Sequence, residues 1–282
     1  MLSNRKLTYN KVYVDSQKRL PQSESSSDFI IQMNENLETH PNTVMYVMDE
    51  VIPQSYYTTP EGFYQFMYVI IYNSGDGSVQ AYLKIDLKNL VFFASQLVSR
   101  ISNLLRQEAV NQSLPENLFT SSYDSDQRRM ILNITNSAYS FKVPTDKELQ
   151  ESSIWNGNTI EDPMSVNSLI GNYEETVPTN TTWTSGLMNL NPFNSLFIVS
   201  TELSDFHYSA PDGYSNSIIK KVNMMLNVGG ITVSTSPPLV NDWIEVSNRS
   251  LKRLRFRITD ARGKTVNLHN APVSFTLLFV NL

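Results

Sequence analysis

Residues 251–282 read LKRLRFRITDARGKTVNLHNAPVSFTLLFVNL. In the first part Leu254, Phe256 and Ile258 alternate with Arg253, Arg255 and Arg257, which is a strand with one apolar and one basic face. Asp260-Ala261-Arg262-Gly263 supplies a turn, with Gly263 suited to a positive φ. A short return carries Val266 and Leu268 on one face. Val273 to Val280 then starts by alternating and ends apolar on both sides, so this strand needs cover on both faces. Chain ends fray unless something ties them down. A terminal strand this hydrophobic therefore belongs in the middle of a sheet or at an interface. The stretch reads as a terminal hairpin, and the chain as an all-β protein closed by its own last strand.

Working outward, strand signals recur at short spacing. Phe29–Met33 and Val44–Met48 come first, and the second continues to Val51-Ile52 before Pro53, which has no N–H for a ladder. The run FYQFMYVIIY (63–72), a turn through Asn73–Gly77 and the return Val79–Ile85 form a hairpin. Met130, Leu132 and Ile134, a turn at Asn136-Ser137, then Tyr139, Phe141 and Val143 read as a second hairpin. Further strands fall at Leu196–Val199, Val222–Val228, Ile231–Val233 and Trp243–Val246. One segment breaks the pattern. Across about 89–107, Leu90, Phe93, Leu97, Ile101 and Leu105 recur at helical spacing with polar residues opposite, an amphipathic helix whose stripe should cover a sheet.

Residues 1–27 are mostly polar, carry the apolar cluster Tyr9, Val12, Tyr13 and Val14, and read as an N-terminal arm ordered where it meets a partner. Residues 28–282 read as a single domain with a loop-rich insertion at about 145–194, rich in Asn, Thr, Ser and Glu.

The chain has 282 residues, 40% of them hydrophobic, enough for a substantial core. Its formal net charge of −5 gives no global excess of positive charge for coating nucleic acid. No cysteine is present, which removes disulfides, thiolate metal sites and thiol catalysis. No run approaches the roughly 18 apolar residues of a membrane-spanning helix, and the opening residues lack the apolar core of a secretory signal.

Chemistry-bearing motifs are absent. His40, His207 and His269 lack metal-ligand spacing. No nucleophile elbow, dinucleotide or phosphate-binding loop occurs. Acidic neighbours occur at Asp49-Glu50, Asp124 with Asp126, Glu161-Asp162 and Glu174-Glu175, but a glycosidase needs two carboxyls facing each other across a cleft. The expectation is a non-enzyme with no catalytic residues, no metal and no cofactor. The one concentration of charge is the basic face around Arg253, Arg255 and Arg257.

Several phrases, in order, carry a family resemblance. They are Val14-Asp15-Ser16-Gln17-Lys18-Arg19 followed by Ser26-Ser27-Asp28-Phe29, then Ile52-Pro53-Gln54-Ser55-Tyr56-Tyr57. Later come Ser195-Leu196-Phe197-Ile198-Val199-Ser200 and the closing Phe256-Arg257-Ile258-Thr259-Asp260-Ala261-Arg262-Gly263 with Val273-Ser274-Phe275-Thr276-Leu277. Together they resemble the penton (minor capsid, vertex) proteins of virophages and of Polinton/Maverick-type and polinton-like viruses. Lys18, Asn267 and Val273 depart from the family pattern, which commonly has Asn, Asp and Trp there.

The resemblance implies a jelly-roll β-sandwich. It implies a viral structural protein, five copies of which close each vertex of an icosahedral capsid beside the major capsid protein. It also implies a virion location; composition adds that no membrane span and no nucleic-acid partner are expected. Candidate subunit-interface residues are then Tyr13 and Val14 of the arm, Arg253, Arg255 and Arg257 of the basic face, and Leu278 and Val280 of the last strand. The alternative is a β-sandwich carbohydrate- or receptor-binding module using Trp155, Trp183 and Tyr214 on loops.

Overall fold

A computed structural model describes residues 9–60, 62, 64–91, 93–152, 165–174, 181–203, 217–224, 230–234 and 243–282. The described strands, in chain order, are β1 (Tyr9–Asp15), β2 (Asp28–Glu38), β3 (Thr43–Pro53), β4 (Phe66–Asn73), β5 (Val79–Asp86), β6 (Phe119–Asp124), β7 (Arg129–Ile134) and β8 (Tyr139–Lys142). They continue as β9 (Thr182–Thr184), β10 (Ser195–Val199), β11 (Ile218–Asn223), β12 (Ile231–Ser234), β13 (Ile244–Glu245), β14 (Ser250–Thr259) and β15 (Ser274–Asn281). Three helices are described, α1 (Ala94–Asn111), α2 (Asp146–Glu151) and α3 (Asn167–Ile170). None is long and apolar enough to cross a membrane.

The chain divides into two compact units, one made of Met1–Tyr56 with Phe193–Leu282 and the other of Tyr57–Pro192. This differs from the expected single domain with an insertion at 145–194. The reason lies in the cores. The hairpin β4–β5, helix α1 and strands β6–β9 close around their own buried cluster, so the inserted segment starts near residue 57. In–out periodicity shows that a strand has a buried face, but not which core it faces.

The first unit is a two-sheet antiparallel sandwich. One sheet has the order β1-β15-β3-β12, with β13 also on β3, and the other β11-β10-β14-β2. Set aside the two-residue β13 and number the remaining strands along the unit. The sheets then run first-eighth-third-sixth and second-seventh-fourth-fifth, which is the jelly-roll wrap. The expected all-β jelly roll is therefore present, and β15 lies between β1 and β3.

Two expectations about the ends of this unit need correction. β14 and β15 do not form a hairpin; they lie in opposite sheets. After the turn, Thr265 bridges Thr259 and the Val266 N–H donates to the Ile258 carbonyl at 2.9 Å, so the return exists. It buries Val266 and Leu268 and then crosses the sandwich. The N-terminal arm is likewise part of the sheet, since Tyr9–Asp15 pairs antiparallel with Ser274–Val280. Ser16 fastens the crossing, its N–H donating to the Val273 carbonyl at 2.9 Å and its hydroxyl accepting from the Val273 N–H at 2.8 Å.

The sandwich core follows the alternation in β14. Leu251, Leu254, Phe256 and Ile258 are buried, and a register shift between Leu251 and Arg253 lets Lys252 and Arg253 both face out without losing the inward phase. Phe256 meets Phe275 of the opposite sheet edge-on, with centroids 5.0 Å apart, and Phe29 of β2 at 5.7 Å.

In the turn, Gly263 has φ 79°, the left-handed conformation glycine tolerates. The Asp260 carboxylate accepts from the N–H groups of Arg262 and Lys264, both at 2.9 Å. Burial nevertheless raises the carboxyl's pKa above its ordinary value, outweighing those donors. A raised folded pKa contributes stability below the ordinary carboxylate value, and that contribution is lost as pH rises through the folded value. The expected result is that the melting temperature of the native protein, measured against Asp260→Asn, falls as pH rises through this window. A flat difference would contradict it.

The second unit packs the sheets β5-β4-β8 and β6-β7-β9 with α1. The β4–β5 hairpin is as expected, with a register shift at Ile71/Tyr72. The expected β7–β8 hairpin is not: β7 pairs with β6 and β9, and β8 pairs with β4. Again a short connection carries the chain between sheets, and Phe119 of β6 meets Phe141 of β8 edge-on at 5.9 Å. Leu97, Ile101 and Leu105 of α1 are buried in this core, the sheet-covering role their spacing predicts. Tyr68 and Ile70 on the other face of β4 pack with Leu149 of α2, which explains why the 63–72 run is apolar on both sides.

Gly171 and Gly186 touch backbone to backbone. A Cβ on Gly171 would stand 2.8 Å from the Gly186 carbonyl carbon, and a Cβ on Gly186 would collide with the Gly171 carbonyl. Gly186→Ala is expected to cost about 1–3 kcal/mol in denaturant unfolding. An unchanged midpoint would mean this approach is looser than described.

Candidate subunit interface

The candidate residues fall on two different surfaces of the jelly roll. Tyr13, Leu278 and Val280 lie on the outer face of the β1-β15-β3-β12 sheet. Arg253, Arg255 and Arg257 lie on the outer face of the β11-β10-β14-β2 sheet. Val14 lies on neither, because it is 2% exposed and points into the core.

The first face is built by register. Directly opposed strand residues point to the same side of a sheet. Tyr9, Val280 and Val44 form one row across the three strands, and Lys11, Leu278 and Tyr46 the next. Farther along, Val51 stands beside Val233, and Pro53 beside Ile231 of β12. Tyr13 is 76% exposed and Val233 61%, while Leu278 and Val280 are half-buried. The last strand thus has one face in the core, through Phe275, Leu277 and Phe279, and an apolar face that the chain covers only in part. Tyr46, Ile231 and Val233 are not among the residues that the sequence marks for an interface. Their signal was there in β3, where Val44, Tyr46 and Met48 alternate with Met45 and Val47, apolar on both sides.

The second face is less uniformly basic than the alternation suggests. Arg255 grips Asp28 of β2 with two parallel bonds, Nε to Oδ1 and Nη2 to Oδ2, both 2.7 Å, and reaches Glu24 at 2.9 Å. The hydrogen bonds that the guanidinium donates to Asp28 raise its pKa above the ordinary value, despite some desolvation. The Asp28 side chain is 7% exposed and that of Arg255 43%. Arg255 is therefore a clamp between β14 and β2. Glu202, just beyond β10, accepts from the Arg255 backbone N–H at 3.2 Å and from the Ser200 hydroxyl at 3.1 Å. A recess lined by Val199, Ser200, Thr201, Arg255 and Arg257 lies beside it. Arg253, Arg257 and Lys221 form no ion pair with any described residue.

The other residues considered for chemistry are dispersed. His40 and His269 are exposed, with His269 Nδ1 against the Ser55 carbonyl at 2.5 Å; His207 lies outside the described residues. Asp49 and Glu50 are neighbours on one strand and face opposite sides, Glu50 being buried. Asp124 caps its own turn, accepting from the N–H groups of Asp126 and Gln127. Glu161, Asp162 and Glu175 lie outside the described residues, and Glu174 is exposed. Among the described residues no three acidic or histidine side chains converge as metal ligands. Of the aromatics suggested for ligand stacking, Trp183 is buried in the second unit's core opposite Leu132. Trp155 and Tyr214 lie outside the described residues.

Comparison with protein-family models and with curated protein sequences gives no match. Comparison with solved structures does. The chain resembles the crystal structure of the mavirus penton protein with a TM-score of 0.59 at 11% identity, over 96% of this chain and 99% of that one. It also resembles a chain of the cryo-EM structure of the Sputnik virophage, with a TM-score of 0.51 at 13% identity, over 96% and 98% of the two chains. At such identities the likeness is one of fold, and it extends along both chains nearly end to end.

Proposed function

We propose that this chain is a capsid structural protein, the penton subunit, five copies of which close each fivefold vertex of an icosahedral shell beside the major capsid protein. The observation that carries this reading is the extent of the fold likeness. Jelly rolls serve many functions, so a match to the sandwich alone would say little. Here the match to the mavirus penton protein covers 96% of the chain, which takes in residues of both compact units. The motif order in the sequence points to the same family by a separate route. In this reading the protein does its work by burying surface between subunits, and carries no reaction.

The test is the mass of the purified protein by native mass spectrometry, alone and mixed with the shell protein of the same particle. The expected species is five times the 32.1 kDa chain. A monomer under both conditions would count against the proposal.

A further inference from the structure

We propose that the two outer faces of the jelly roll are the two halves of one contact: the β1-β15-β3-β12 face of one copy seats on the β11-β10-β14-β2 face of the next. The inference rests on the ring reading above and adds which surfaces close the ring.

Three observations carry it. The first face exposes more apolar surface than a solvated sheet needs. Tyr9, Tyr13, Ile231 and Val233 are each more than half exposed, the two tyrosines on β1 beside the half-buried Leu278 and Val280 of β15, and Ile231 and Val233 on β12 at the far side of β3. Exposed apolar surface gathered on one face of a sheet marks an interaction site.

Second, the faces are complementary in charge. Asp49 and Glu245 stand on the first face by register, Asp49 opposite Thr276 and Glu245 opposite Val44, with Lys11 as the opposing charge. The second face offers Arg253, Arg257 and Lys221, with no ion-pair partner among the described residues. Arginine over tyrosine is a favourable contact that also buries the arginine stem, and both residue types are enriched at interface cores.

Third, the faces differ. A twofold contact needs a patch complementary to itself, whereas a closed ring needs two different patches complementary to each other. Apolar-acidic on one sheet and basic on the other is the ring-forming arrangement. Like faces would oppose Arg253 and Arg257 to their own copies.

The chain has no cysteine, so introduced thiols report cleanly. Tyr13→Cys or Tyr46→Cys on the first face is combined with Arg253→Cys or Lys221→Cys on the second, giving four double variants. Each is treated with a short bismaleimide in the assembly identified by native mass. At least one double variant should give a covalent ladder reaching the ring size, and the four single variants should stay unlinked. Circular dichroism and the native mass of each variant confirm that it folds and assembles. A ring of normal mass in which no double variant links would overturn the face pairing. So would a single variant that links to itself, since that requires like faces to meet. Absence of any ring from the unmodified protein overturns the ring reading itself, and is seen before linker is added.

Discussion

Phe256→Ala should destabilise the jelly roll by about 3–5 kcal/mol, the range for removing a fully buried aromatic ring. Phe256 is 0% exposed and bridges the two sheets, with Phe275 edge-on at 5.0 Å and Phe29 of its own sheet at 5.7 Å. The cavity opens between sheets whose inner faces are both fixed by ladders, so little can collapse into it. A typical domain is stable by about 5–15 kcal/mol, so this loss removes a large share. The double variant Phe256→Ala with Phe275→Ala should show a coupling of about 0.5–1.5 kcal/mol, the worth of an edge-on aromatic pair. Urea unfolding measures both. A cost below about 1 kcal/mol for the single change would mean the ring is not packed between the sheets.

Arg255→Ala is the second large effect, and its signature is an asymmetry. Removing one partner of a buried pair costs about 3–5 kcal/mol when the charge left behind is buried, and much less when that charge can reach water. Asp28 is the buried partner and Arg255 is almost half exposed. Arg255→Ala therefore strands a buried carboxylate and should cost the larger amount, discounted toward about 2–3 kcal/mol because water reaches the arginine side of the pair. Asp28→Ala leaves a guanidinium that still has water and Glu24, and should cost less. Arg253→Ala removes an exposed side chain and should stay within about 0.5 kcal/mol. Equal costs for Arg253 and Arg255 would mean the clamp is absent. The basic face thus holds a strand clamp at Arg255 beside Arg253 and Arg257, which form no ion pair among the described residues, so charge reversal at Arg255 tests folding before it tests assembly.

What could be read from sequence divides along a physical line. Alternation in 251–258 gave the inward set Leu254, Phe256 and Ile258 correctly, because burial is periodic along a strand. The doubly apolar 275–280 run belongs to a strand with neighbours on both sides, and the helix covers a sheet. Pairing partners were not legible. Residues 129–143 and 251–282 each looked like a hairpin because consecutive strands with short links usually pair. In both places the chain instead crosses to the opposite sheet, and each strand still shows the same in–out pattern. The N-terminal Tyr9–Asp15 looked like an arm because its partner, β15, lies at the other end of the chain. The Arg255–Asp28 clamp joins residues 227 apart in sequence, and no local pattern marks it. Of the candidate interface residues, Val14 turns into the core: Tyr13 and Val14 are both apolar, and only the sheet decides which one turns in.

The proposed penton role is tested most directly by finding where this chain sits in a viral particle. An icosahedral cryo-EM reconstruction of virions containing it should show the jelly roll and its inserted unit in five copies around each fivefold axis. It should also show the β1-β15-β3-β12 face of each copy against the β11-β10-β14-β2 face of its neighbour. Density for another protein at the fivefold axes, with this chain elsewhere or missing from the particle, would contradict it.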